Sequence, residues 1–224
     1  MRDLPTSVFD LILGRSCAGC DRPGNVLCSS CRAQLRPALR VRRDLNLNDV
    51  VEGLRIPVVC ALDYRGVARQ VLFRYKDHRI RQLADYLAPA LSASIRFAAE
   101  HACVPIGSAL LTPLPTRRAS VRRRGFDATG HLVRRAAASS QAIGIRPLLT
   151  DVRTTRGSKN LGMHERERSA IEAFRLRSEG RLPRSPVIVV DDIVTTGATA
   201  REAVTMLVLA GVHVAAVATV AGTP

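Results

Sequence analysis

Val187-Ile188-Val189-Val190-Asp191-Asp192-Ile193-Val194-Thr195-Thr196-Gly197-Ala198-Thr199 is the stretch that decides the fold. Four successive apolar residues describe a strand covered on both faces, and such strands belong to parallel sheets flanked by helices. The chain leaves this strand through two carboxylates. Small residues then precede a helix-spaced set, Ala200, Ala203, Val204, Leu207 and Val208. That order predicts a tight turn, at residues 195–199, whose backbone N–H groups and hydroxyls surround a phosphate where the helix begins. A P-loop would need Gly-Lys-Ser/Thr, and a dinucleotide fingerprint three glycines, so neither applies. Two acids beside a phosphate cradle instead suit the vicinal hydroxyls of a ribose and the metal that accompanies it. A plain acidic helix cap accounts for Asp192 and leaves Thr-Thr-Gly-Ala-Thr unexplained.

Working outward, the helix is expected over residues 195–210, and Gly211 separates it from a β-branched run at 212–220. No residue from Ala203 to Pro224 is formally charged, yet the glycine and the change of period argue for helix, turn and buried strand rather than a membrane span. Upstream, strands are expected at 58–64, 109–112 and 145–149, and helices at 67–73, 82–97 and 128–139, the last with Asp127 as its N-cap. Strands alternating with helices predict an α/β domain built on a mostly parallel, twisted sheet. Residues 151–168 are charged and carry too few apolar side chains to pack, which marks a mobile loop.

The N-terminal part reads differently. A short apolar helix at 4–13 is followed by Cys17-x-x-Cys20 and, seven residues later, Cys28-x-x-Cys31. Two such pairs converge on one tetrahedral ion, zinc by preference, although four thiolates also accept iron. A segment this poor in apolar residues needs the metal to fold, and a closed four-thiolate shell assigns it to structure rather than catalysis. The Arg-rich stretch 36–52 reads as a linker, dividing the chain into a zinc module at 1–50 and an α/β domain at 51–224. Cys60 and Cys103 stand alone and are expected to be small buried hydrophobes.

The 224 residues carry 34 basic and 19 acidic side chains, net +15, with only two lysines, Lys76 and Lys159. An anionic partner is expected: nucleic acid, acidic lipid or a phosphorylated small molecule. Asp3 and Asp10 interrupt what would be a leader's apolar region, so a cytoplasmic location without membrane insertion is expected.

Taken together, the acidic pair with its Thr-Thr-Gly-Ala-Thr turn resembles the phosphoribosyl-pyrophosphate (PRPP) signature of type I phosphoribosyltransferases, and the four cysteines narrow the resemblance to ComF-like proteins. It extends over Tyr64-Arg65-Gly66, Tyr75-Lys76, Pro113-Leu114-Pro115, Arg124-Gly125-Phe126 and residues 161–174, which include Arg166. Asp127 and Ser169 stand where the family usually has Asn. The resemblance implies a type I phosphoribosyltransferase-like fold with the site at the carboxyl ends of the strands. It implies Asp191 and Asp192 on the ribose hydroxyls, directly or through metal, and Thr195, Thr196, Gly197, Ala198 and Thr199 on the 5-phosphate. Residues 112–117, including Pro115, Thr116 and Arg117, would hold pyrophosphate, and Mg²⁺ would accompany PRPP. Among candidate cations for the leaving group (Lys76, Arg117, Arg122, Arg123, Arg124, Lys159 and Arg166), Arg124 and Lys159 are singled out. His131 and His164 are read as bystanders. The implied activity is phosphoribosyl transfer to a nitrogenous acceptor. The alternative is a non-enzymatic accessory protein of DNA uptake that binds single-stranded DNA through its basic surface.

Overall fold

The computed structural model describes residues 16–153, 173–177 and 181–223. In chain order these form α1 (Ser29–Ala33), β1 (Arg40–Asn46), β2 (Arg55–Asp63), α2 (Gly66–Asp77), α3 (Ala84–His101), β3 (Leu110–Pro113), α4 (Arg118–Arg124) and α5 (Ala128–Ser140). There follow β4 (Gly144–Ile145), β5 (Leu149–Asp151), β6 (Phe174–Leu176), β7 (Val187–Val194), α6 (Ala198–Leu209) and β8 (Val214–Gly222). Six strands make one sheet in the order β1-β2-β8-β7-β3-β4. It is parallel except for β1, which runs antiparallel on β2. The expected mostly parallel α/β architecture is the observed one.

Alternation along β7 divides the core. Val187 and Val189 face a cluster with Leu45, Phe174, Ala203, Val204 and Leu207, while Ile188 and Val190 face Leu87, Leu91, Ile95 and Leu132 on the other side. Every residue of β8 is buried, as expected for a strand with both faces covered. The uncharged C-terminal stretch is therefore α6 followed by a central strand, and among the described residues no helix is long and apolar enough to cross a membrane.

Four local expectations are corrected. The stretch read as a linker contains β1, whose ladder on β2 carries a bulge between Val41 and Arg43. Only Leu45 is buried within it, so the strand has no alternation to read; its arginines mark a charged sheet edge. The single strand expected at 145–149 is two short ones. Pro147 lacks an N–H, and beyond it β5 turns away from the main sheet to pair with β6 in a separate two-stranded ribbon. β7 continues through the acidic pair to Val194, and α6 starts only at Ala198, because Gly197 at φ +81° reverses the chain between them. Cys103 is exposed, whereas Cys60 is buried as expected. The helix anticipated at 4–13 lies outside the described residues.

The cysteine segment packs on α2 and α3. Cys17, Ala18, Leu27, Cys31 and Leu35 belong to the same buried cluster as Val71, Leu72 and Leu87. Arg74 on α2 donates to the Cys17 carbonyl at 3.2 Å and to Asp21 at 2.5 Å.

Candidate functional site

The four cysteine sulfurs lie within 4.8 Å of one another. A tetrahedral zinc with bonds of about 2.3 Å spaces its sulfurs about 3.8 Å apart, and Cys20 Sγ lies 3.7 Å from Cys28 Sγ. Backbone N–H groups of Cys28 and Gly19 donate to Cys17 Sγ at 3.3 and 3.4 Å. Burial opposes ionisation of Cys17, but these donors outweigh it and pull the thiol down to about 6; burial pushes Cys31 up. Gly19 is required by space, since a Cβ there would stand 2.7 Å from Cys31 Sγ. The donor set fits a structural zinc ion held by Cys17, Cys20, Cys28 and Cys31.

The second site is a cavity of about 250 Å³ beside the carboxyl ends of β3 and β7. Asp191 and Asp192 form one wall. The loop Leu114–Arg117, pinned by the Leu114 N–H donating to the Val190 carbonyl at 2.8 Å, forms another. Arg124, Thr129, Arg153, Thr199 and Lys76 complete the part that bears on chemistry.

The two carboxylates are not equivalent. Asp192 is 3% exposed and receives Lys76 Nζ at 2.7 Å and Thr129 Oγ1 at 3.3 Å. Burial alone would push Lys76 down, but the charges of Asp192 and Asp191 outweigh it and hold the ammonium above its ordinary value. Asp191 accepts the Asp192 N–H at 2.8 Å and has no cation of its own among the described residues. Burial, reinforced by the neighbouring Asp192 charge, pushes its carboxyl well above the usual range.

A testable consequence concerns stability. A group whose pKa is higher folded than unfolded favours the fold below its unfolded pKa, and that contribution is lost as pH rises through the folded value. Asp191→Asn is permanently neutral and keeps an oxygen for the Asp192 N–H. Urea unfolding should therefore find it more stable than the parent at pH 7 and equal to it below pH 4. Equal stabilities at both would mean that Asp191 carries no such strain.

Thr116 donates to Asp127 Oδ1 at 2.7 Å, and the same oxygen caps α5 by accepting the Gly130 N–H at 3.1 Å. Asp127 is thus the expected N-cap and also anchors the loop. Arg124 reaches Asp77 at 3.2 Å. The turn at 195–199 is held from an unexpected direction: Arg43 on β1 donates to the Thr196 carbonyl at 2.9 Å, and Leu45 would stand 3.3 Å from a Cβ on Gly197. Thr195, Thr196 and Ala198 are exposed.

The structure thus brings Asp191, Asp192, Pro115, Thr116, Arg117, Arg124 and Thr199 to one cavity, while Thr195, Thr196, Gly197 and Ala198 do not line it. Lys159, Arg166 and His164 lie outside the described residues. His131 sits on α5 with Nδ1 3.0 Å from the Tyr75 hydroxyl and does not line the cavity. Lys76 ranks higher than its sequence reading, because only the fold shows that it meets Asp192. Arg43, Thr129 and Arg153 had no sequence signal beyond residue type. No family model and no curated protein matches the chain. The four-cysteine cluster and the mostly parallel α/β sheet fit a zinc module joined to a phosphoribosyltransferase-like domain.

Proposed function

We propose that the protein is a ComF-like phosphoribosyltransferase that binds PRPP and transfers its phosphoribosyl group to a nitrogenous acceptor. The observation that carries this reading is the acidic pair in the second half of β7, one carboxylate clamped by Lys76 and the other without a cation among the described residues, lining one cavity with the Leu114–Arg117 loop. Asp191 and Asp192 accept the ribose hydroxyls. The 5-phosphate lies in the turn from Thr195 to Thr199 at the start of α6, where backbone N–H groups and the helix dipole favour an anion. Pro115, Thr116 and Arg117 line the pyrophosphate side, with Arg124, the last residue of α4, as a further cation on the cavity wall.

In the reaction the bond from the anomeric carbon to pyrophosphate breaks, its electron pair leaving with the pyrophosphate oxygen. The acceptor nitrogen forms the new bond and yields its proton to solvent. Positive charge grows on the sugar and negative charge on the leaving group, so fixed cations at the leaving group and carboxylates at the ribose lower the barrier together. Mg²⁺ bound with PRPP supplies further neutralisation of the pyrophosphate.

Calorimetry with PRPP and Mg²⁺ tests the reading. The double variant Asp191→Asn, Asp192→Asn is expected to bind at least tenfold more weakly, about 1.4 kcal/mol, with its circular dichroism unchanged. Parent-like affinity in that variant would remove the assignment of the site.

A further inference from the structure

A second cavity, of about 460 Å³, adjoins the first and shares Arg117, Ser120 and Arg153 with it. Its other walls are Arg118 and Arg122 on α4 and Asp151 and Val152 at the end of β5. We infer that this cavity receives the acceptor, and that the acceptor is a nitrogen compound bearing a carboxylate or phosphate rather than a neutral base. The inference rests on the phosphoribosyltransferase reading, which puts the anomeric carbon in the smaller cavity.

The argument is one of charge balance. Arg153 is neutralised in place: its Nε donates to the buried Asp151 carboxylate at 2.8 Å, and its guanidinium lies 5.0 Å over the Phe174 ring. Arg117, Arg118 and Arg122 have no carboxylate within 4.0 Å among the described residues. Arg117 is already given to the pyrophosphate side, so among the described residues the cavity presents two guanidinium groups, Arg118 and Arg122, with neither a carboxylate partner nor another assigned ligand. Beside a sugar that gains positive charge in the transition state, uncompensated cations oppose the reaction. A ligand that carries its own negative charge removes that opposition. Guanidinium groups are moreover the planar forks that pair a carboxylate or phosphate through two hydrogen bonds. The volume lies within the range of small-molecule sites and exceeds what a lone anion fills, and Val152 and Ala119 offer apolar surface for a ring. Reversed charge would suit a cationic acceptor, and a wall of neutral donors and acceptors would suit an uncharged base; neither describes this cavity.

The experiment uses the full chain with Mg²⁺ and measures binding and pyrophosphate release for three matched pairs. These are nicotinate against nicotinamide, orotate against uracil, and 5-aminoimidazole-4-carboxylate against its carboxamide. At least one carboxylate is expected to bind tenfold or more tightly than its neutral partner. The Arg118→Gln, Arg122→Gln variant should abolish that preference while changing PRPP affinity less than twofold. The inference is overturned if PRPP binds but no carboxylate shows the preference, if the preference survives the substitutions, or if the variant loses PRPP affinity in parallel. In the last case the arginines serve pyrophosphate instead. Failure of the parent protein to bind PRPP at all would strike the underlying reading, and is seen before any acceptor is added.

Discussion

Replacing any one of Cys17, Cys20, Cys28 and Cys31 by Ser is expected to release the metal and unfold the segment around them. Structural zinc contributes on the order of 10 to 16 kcal/mol of apparent binding free energy. The segment's own buried apolar residues, chiefly Ala18, Leu27 and Leu35, offer far less, at about 2 kcal/mol per fully buried leucine. The Cys17 and Cys31 variants should be the most severe, because both side chains are buried against α2 and α3. Elemental analysis of reduced, freshly purified protein should find one zinc per parent chain and little in the variants. Limited proteolysis should cut between residues 16 and 35 while β7 and β8 stay protected. Since the segment covers α2, the melting temperature of the main sheet should also fall. A metal-free parent protein with this segment intact would refute the zinc assignment.

The second large effect is expected at Lys76. Lys76→Met leaves the Asp192 carboxylate buried with Thr129 as its remaining side-chain partner among the described residues, and breaking a buried pair from one side costs about 3 kcal/mol. Lys76 keeps about a fifth of its side chain in solvent, which sets the expectation at the low end of that range. Urea unfolding at pH 7 measures the loss. Adding Asp192→Asn to Lys76→Met should recover much of the stability, since neither charge then remains. Strictly additive losses in the double variant would show that the 2.7 Å contact is not the source of the effect.

Much of the site was legible because its signals are local. The acidic pair, the small turn residues and the glycine that reverses the chain lie within thirteen consecutive positions, and the cysteine spacing is a ligand pattern in itself. Asp127 was legible as a cap for the same reason: a short oxygen-bearing side chain three residues ahead of an N–H needs no distant partner. β1 was not, since its place in the sheet depends on pairing with β2 and on the reach of Arg43 to Thr196, 153 residues away. The same holds for β5 and β6, whose pairing joins residues separated by a long charged segment.

What the sequence by itself determined is the chemistry on offer: a buried parallel strand ending in two carboxylates, a small-residue turn into a helix, four thiolates at metal spacing and a surplus of arginine. Tertiary structure alone decided how those charges are distributed. Lys76, on a helix far upstream, is placed against Asp192, and among the described residues Asp191 has no cation of its own; Asp151 neutralises Arg153, while among the described residues Arg118 and Arg122 have no carboxylate partner. The physical reason is range. Backbone periodicity, capping and ligand spacing are settled within a few residues, whereas the state of a buried charge depends on whichever group the fold brings within a few ångströms of it.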